Sequence, residues 1–194
     1  MTELIEYYKG IFTILSSCAS RQLEEVTFRR TVIPVQELLD AAGKYFKKLM
    51  KNRPERIELE IEPMEAKVIG DVNQLRFLLE NLIDEALSVP VAGKIRLTCA
   101  VEDDFVRFLF TDMRREKTRE ELNQLFYPNL VRMTAGEKGK LCGTEYLLCK
   151  QIIRDHDEFA GRRGCRINAE PAEKGGFAVY FTLPRYLKRI QPGR

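Results

Sequence analysis

The sequence lacks any apolar run of membrane-spanning length, and no signal-peptide pattern follows Met1. The expectation is a cytoplasmic chain, either free or the cytoplasmic part of a longer membrane-bound protein. It also lacks a C-x-x-C pair. The five cysteines (Cys18, Cys99, Cys142, Cys149 and Cys165) are odd in number, which argues for reduced thiols rather than a zinc or disulfide framework. Cys99 and Cys165 alternate with apolar neighbours and read as small core hydrophobes. A strong charge of one sign is missing too. Lys and Arg total 32 against 29 Asp and Glu, a net charge of +3, and the basic residues are not interleaved with aromatics. A nucleic-acid interface is therefore set aside. Histidine is nearly absent: His156 is the only one, and its setting late in the chain reads as a surface or turn position.

What is present suits a globular protein. The 194 residues are 44% hydrophobic and 31% charged, enough for one α/β core and an appended element. Residues 3–24 read as a helix. Leu4, Tyr8, Ile11, Leu15 and Cys18 recur at alternating spacings of four and three, a heptad seam that suits dimerisation, with packing of this face onto the chain's own core as the alternative. Arg29–Pro34 reads as a short strand. Val35–Met50 reads as a helix with Leu38, Leu39, Ala42, Tyr45, Phe46 and Leu49 on one stripe. Ile57, Leu59 and Ile61 alternate with glutamates as a half-buried strand, and Lys67–Gly70 is a short extended piece. Asp71 caps a third helix reaching Ser88, with Leu75, Leu78, Leu79, Leu82 and Ala86 facing inward.

Two hairpins complete the pattern. Ile95, Leu97 and Cys99 face Val106, Phe108 and Phe110 across a turn at Glu102-Asp103-Asp104. Cys165, Ile167 and Ala169 precede Phe177, Val179, Phe181 and Leu183. Between the hairpins lie a short helix (Thr118–Phe126), a loop (127–140) long enough to be a lid, and a helix from Thr144 to about Asp157. The basic end, 185–194, reads as a frayed helix. Helices interleaved with hairpins predict an α+β fold, a two-layer α/β sandwich with a mixed sheet and helices on one face.

Four segments, taken in order, give this pattern a resemblance. Asn81-Leu-Ile-Asp-Glu85-Ala falls late in the third helix. Asp112-Met-Arg114-Arg115-Glu116 ends a strand. Glu120–Pro128 contains Phe126. Gly139-Lys-Leu-Cys-Gly143-Thr-Glu145 runs into a helix bearing Lys150. Together they resemble the ATP-binding domain of sensor histidine kinases, the fold shared with gyrase and the Hsp90 chaperone, over Arg29–Pro184. The resemblance divides the chain into a dimerisation-type helix (1–25), an ATPase-like domain (29–184) and a basic tail (185–194). The closing run Gly175–Pro184 is similar to the family's last strand. The segment Asp157–Gly164 is longer than the family's usual turn.

The resemblance implies a nucleotide-binding-like set of Asn81, Glu85, Asp112, Gly139 and Gly143. Asp112 would read the adenine amino group, and Asn81 with Glu85 would hold magnesium. Glu85 stands where the family carries a second asparagine; a carboxylate is an acceptable magnesium ligand but opposes a triphosphate. Arg114 and Glu116 replace two glycines whose bare backbone lets the base approach, and Glu145 replaces another glycine beside the phosphates, where a helix N-terminus would meet them. Phe126 matches the phenylalanine that anchors the lid. Lys138 and Lys140 read as a solvated lid, and no histidine sits where a phosphoacceptor would.

The expected function is therefore a signalling domain of a two-component, sensor histidine kinase-like protein. ATP and Mg2+ would bind weakly or not at all, no catalytic residue is assigned, and the domain would act by conformational or partner coupling. Its expected partners are a second copy through the N-terminal helix, upstream sensor domains and a response regulator. The alternative is an active kinase domain that binds Mg-ATP and phosphorylates an upstream histidine. A third reading is a scaffold with no small-molecule site.

Overall fold

A computed structural model describes residues 28–126 and 144–187. The seam residues Leu4, Tyr8, Ile11, Leu15 and Cys18, the loop with Gly139 and Gly143, and the tail past residue 187 lie outside the described residues.

Alternation of apolar and polar side chains produces seven strands, and three-to-four spacing produces four helices among the described residues. In chain order they are β1 (Thr31–Pro34), α1 (Val35–Met50), β2 (Ile57–Ile61), β3 (Lys67–Gly70), α2 (Val72–Leu87), β4 (Gly93–Glu102), β5 (Phe105–Asp112), α3 (Arg119–Gln124), α4 (Thr144–Phe159), β6 (Ile167–Pro171) and β7 (Phe177–Pro184). The main sheet has the order β2-β4-β5-β7-β6. Only β2 and β4 run parallel; every other neighbouring pair is antiparallel. The α+β sandwich with a mixed sheet is thus observed.

The core lies between this sheet and the helices. Ile95, Leu97, Val106, Phe108, Val179, Phe181 and Leu183 are buried on the inner face, and Phe108 stacks on Phe181 with ring centroids 4.7 Å apart. From α2, Leu75, Leu78, Leu79 and Leu82 are each at most 2% exposed. A side chain of this kind contributes about 1.5–3 kcal/mol when fully buried. Helix α2 starts where it does because Asp71 caps it. One carboxylate oxygen accepts from the backbone N–H groups of Asn73 (3.0 Å) and Gln74 (3.2 Å), and the other from that of Arg29 (2.9 Å).

Outside the main sheet, β1 pairs antiparallel with β3 in a separate two-stranded sheet. Two expectations need correction. Cys165 precedes β6 instead of lying in it. The frayed helix does not begin at Arg185, which bridges Val68, while the Tyr186 N–H donates to the Lys67 carbonyl at 2.8 Å. Extended backbone there lengthens the cover over β3, which local sequence does not reveal.

Candidate functional site

Strand β5 alternates until it delivers Asp112 to its inner face, at the edge of the core. The residue is 1% exposed. A carboxylate so deeply buried is tolerated only with partners, and the turn that follows supplies them. The backbone N–H of Arg114 donates to Asp112 Oδ1 at 3.0 Å. The Arg114 side chain folds back, donating from Nε to Oδ1 (2.8 Å) and from Nη2 to Oδ2 (2.9 Å). Arg115 adds a bond from Nε to Oδ2 at 2.9 Å. Burial alone would raise the Asp112 carboxyl. The Arg114 and Arg115 guanidinium groups outweigh it and hold the group below the usual carboxylate range.

Arg114 reaches further. Its Nη2 donates to the Ala86 carbonyl (2.6 Å) and its Nη1 to the Val91 carbonyl (2.9 Å). Arg53 donates to the neighbouring Leu87 carbonyl at 2.6 Å. Two cations therefore sit at the C-terminal end of α2, where the helix dipole favours positive charge. Gly93 makes room for this. Its φ is +135°, and a Cβ there would lie 2.8 Å from Arg114 Cγ.

Glu85, on the last turn of α2, has Oε1 4.0 Å from Arg115 Nη1, with side-chain exposures of 11% and 14%. Arg115 thus bridges Glu85 and Asp112, and its guanidinium lies 5.6 Å from the centroid of the Phe177 ring. Asn81 is buried at 8% exposure, and its side-chain amide donates to the Phe77 carbonyl one turn earlier at 2.9 Å. That bond uses the amide on its own helix. Asp84, beside them in sequence, faces elsewhere and accepts from the Tyr45 hydroxyl at 3.0 Å on both oxygens. Phe126 packs edge-on against Tyr146, 5.9 Å between centroids, and both are buried.

The structure therefore brings Asp112 and Glu85 together through an arginine that the sequence reading did not assign, and it leaves Asn81 turned into its own helix. Among the described residues, both oxygens of Asp112 already accept from arginines. The described residues do not place three or more His, Cys, Asp or Glu side chains as a metal site. Arg114 was legible only as a lost glycine and Arg115 not at all; that both would hold Asp112 required the turn geometry.

His156 departs from its expected surface position. It is wholly buried in α4. Its Nδ1 donates to the Ile152 carbonyl (2.8 Å), leaving Nε2 to accept from the Asp71 N–H (3.1 Å). Phe28 meets its ring edge-on at 4.9 Å. Gly70 gives it space, since a Cβ there would lie 2.8 Å from Nε2. Burial pushes the imidazole down, opposed by the Ile152 carbonyl and by Asp71 and Asp155.

A family model described as "Histidine kinase-, DNA gyrase B-, and HSP90-like ATPase" matches residues 70–187. No curated protein sequence matches significantly. Among solved structures, the catalytic domain of histidine kinase ThkA is similar at 22% identity and a TM-score of 0.61, covering 81% of this chain and 98% of that one. The ATP binding domain of PrrB from Mycobacterium tuberculosis is 17% identical with a TM-score of 0.60, covering 82% of this chain and 99% of that one. Histidine kinase ThkA in complex with response regulator protein TrrA is 19% identical with a TM-score of 0.64, covering 95% of this chain and 51% of that one.

Proposed function

The chain belongs to the histidine kinase-, DNA gyrase B- and HSP90-like ATPase family, and from that premise we propose that it is a two-component signalling domain whose base site is filled by its own arginine. One observation carries this reading. Arg114 holds both oxygens of Asp112 and two carbonyls, with the Arg114 and Asp112 side chains each 1% exposed. An adenine amino group would have to displace a charge-assisted bidentate pair already sealed from water. Glu85 beside Arg115 supports the same reading, since its carboxylate is engaged by a cation instead of lying open to magnesium.

In this reading the domain is cytoplasmic and binds Mg-ATP weakly or not at all. It acts by coupling to partners: a second copy through residues 1–25, upstream sensor domains, and a response regulator. The regulator is proposed because the similar ThkA was solved with one.

Calorimetry of the full chain with Mg-ATP tests the reading. The expected result is no saturable binding below millimolar nucleotide. Micromolar affinity would overturn it and favour the active kinase, in which Asp112 still reads adenine.

A further inference from the structure

One end of the domain gathers arginines that take no part in the base site. The start of β1, the turn after α4 and the chain leaving β7 meet around an open hollow of about 760 Å³. Its described lining includes Arg30, Arg162 and Arg185 and no carboxylate. Each arginine is placed by the frame. Arg30 lies against the bare backbone of Gly161, where φ is +88° and a Cβ would fall 2.6 Å from Arg30 Cζ and Nη2. Asp104, in the turn between β4 and β5, accepts from Arg162 Nη2 at 2.8 Å, and its carbonyl accepts from the Arg185 backbone N–H at 2.8 Å. Asp104 thus offsets part of the Arg162 charge. Among the described residues, no carboxylate pairs with Arg30 or Arg185. Beside these cations the surface is apolar. Tyr186 and Leu187 are 36% and 48% exposed, and Ile69 joins them in the lining.

We propose that this end of the domain docks on an anionic phospholipid surface. Arg30, Arg162 and Arg185 meet the lipid phosphates, and Tyr186 and Leu187 enter the boundary between headgroups and acyl chains. Guanidinium groups recognise phosphate oxygens through paired N–H donors. A single phosphate ion is far too small to fill a hollow of this width, and it would leave Tyr186 and Leu187 in water. A lipid surface takes both kinds of side chain at once, with negative charge for the arginines and an apolar layer just behind it for the other two. The sequence beyond Leu187 extends the same charge, with Lys188, Arg189 and Arg194 and no acidic residue. A purely acidic peptide would match the charge and leave the exposed apolar pair without a partner. Docking of this kind does not involve the base site, so it stands whether or not nucleotide binds.

Flotation of the full chain with lipid vesicles is the test. Vesicles of phosphatidylcholine mixed with phosphatidylglycerol are expected to bind the chain at least about tenfold more tightly than phosphatidylcholine alone, and the preference should shrink as salt rises. Arg30→Gln with Arg185→Gln should weaken that binding at least about tenfold, since each arginine near such a surface contributes a factor of about five. Lys47→Gln with Lys48→Gln removes the same charge from the end of α1 and should leave binding unchanged. Tyr186→Ser with Leu187→Ser keeps every charge and should weaken it. Thermal melts check that each variant is folded. Equal binding to the two kinds of vesicle, no loss in the arginine variant, an equal loss in the lysine variant or no loss in the serine variant overturns the proposal. Two competitors need no variant at all. Release of the chain from the vesicles by millimolar glycerol phosphate, or by polyglutamate at matched ionic strength, would make the occupant a free phosphate or an acidic polypeptide, and either result overturns the lipid surface.

Discussion

Arg114 grips the carboxylate of Asp112, two residues before it, through side-chain bonds of 2.8 and 2.9 Å, and neither side chain is more than 1% exposed. Such a pair is weak grounds for stability as a unit, because both charges had to leave water. Breaking it is another matter, since the survivor stays buried without its counter-charge. Asp112→Ala is expected to cost about 3–5 kcal/mol in urea or guanidinium unfolding. The double variant Asp112→Leu with Arg114→Met, which removes both charges and keeps volume, should recover most of that loss. Equal destabilisation by the double variant would show that the pair does more than neutralise itself.

A pH dependence follows from His156. Its folded pKa lies below the ordinary 6.5 because the ring is buried. Below pH 6.5 the unfolded chain therefore holds a proton that the folded chain refuses, so stability is lost as pH falls from there toward the folded value. Protonating Nε2 would also turn it against the Asp71 N–H that it accepts. Asp112 and Asp157 are likewise held below 3.8, but their losses come in a lower window, as pH falls through their folded values. Unfolding midpoints at about pH 7.5 and 5.5 should differ in the natural chain and converge in His156→Gln. An unchanged slope in the variant would remove His156 as the cause.

Gly176 and Gly175 offer a matched pair of substitutions. Both have positive φ, +81° and +89°. A Cβ on Gly176 would overlap the Asp112 carbonyl oxygen and lie 2.8 Å from Met113 Cα, whereas on Gly175 the nearest atom is Glu116 Oε1 at 3.9 Å. Both alanine variants are strained in backbone, each by about 1 kcal/mol or more. Gly176→Ala should be clearly the worse in thermal melts, and comparable melting temperatures would refute the steric account.

The N-terminal seam gives a prediction about assembly. If residues 1–25 join two copies, aspartate at Ile11 and Leu15 places charge in the seam and should convert a dimer to a monomer in sedimentation. A dimer that survives both changes, with the domain folded, would place the contact elsewhere.

Periodicity made α2 legible. Leu75, Leu78, Leu79 and Leu82 repeat at helical spacing and Asp71 is a preferred cap, so the helix and its buried face could be read directly. His156 could not be read this way. It stands in a polar stretch, Arg154-Asp155-His156-Asp157-Glu158, whose local character points to solvent. Its burial is decided by Gly70 and Asp71, some 85 residues earlier. The β1–β3 pairing has the same non-local origin, joining Thr31 to Gly70. At the candidate site, the positions of Asp112 and Arg114 were visible as a motif with its glycine lost. That the arginine would bend back and fill the place it altered depends on Gly93 and on the carbonyls of Ala86 and Val91, which no motif records.

Strands β5 and β7 lie side by side, Asp112 opposite Phe177, although α3, residues 127–143, α4 and β6 all fall between them in sequence. The register at Asp112 is thus fixed by a partner strand that is made much later in the chain, and loop-closure entropy has to be lost before that contact offsets it. Assembly of the frame around Asp112 therefore waits on β7, and a change that weakens β7 is felt at the end of β5 although the two are far apart in sequence.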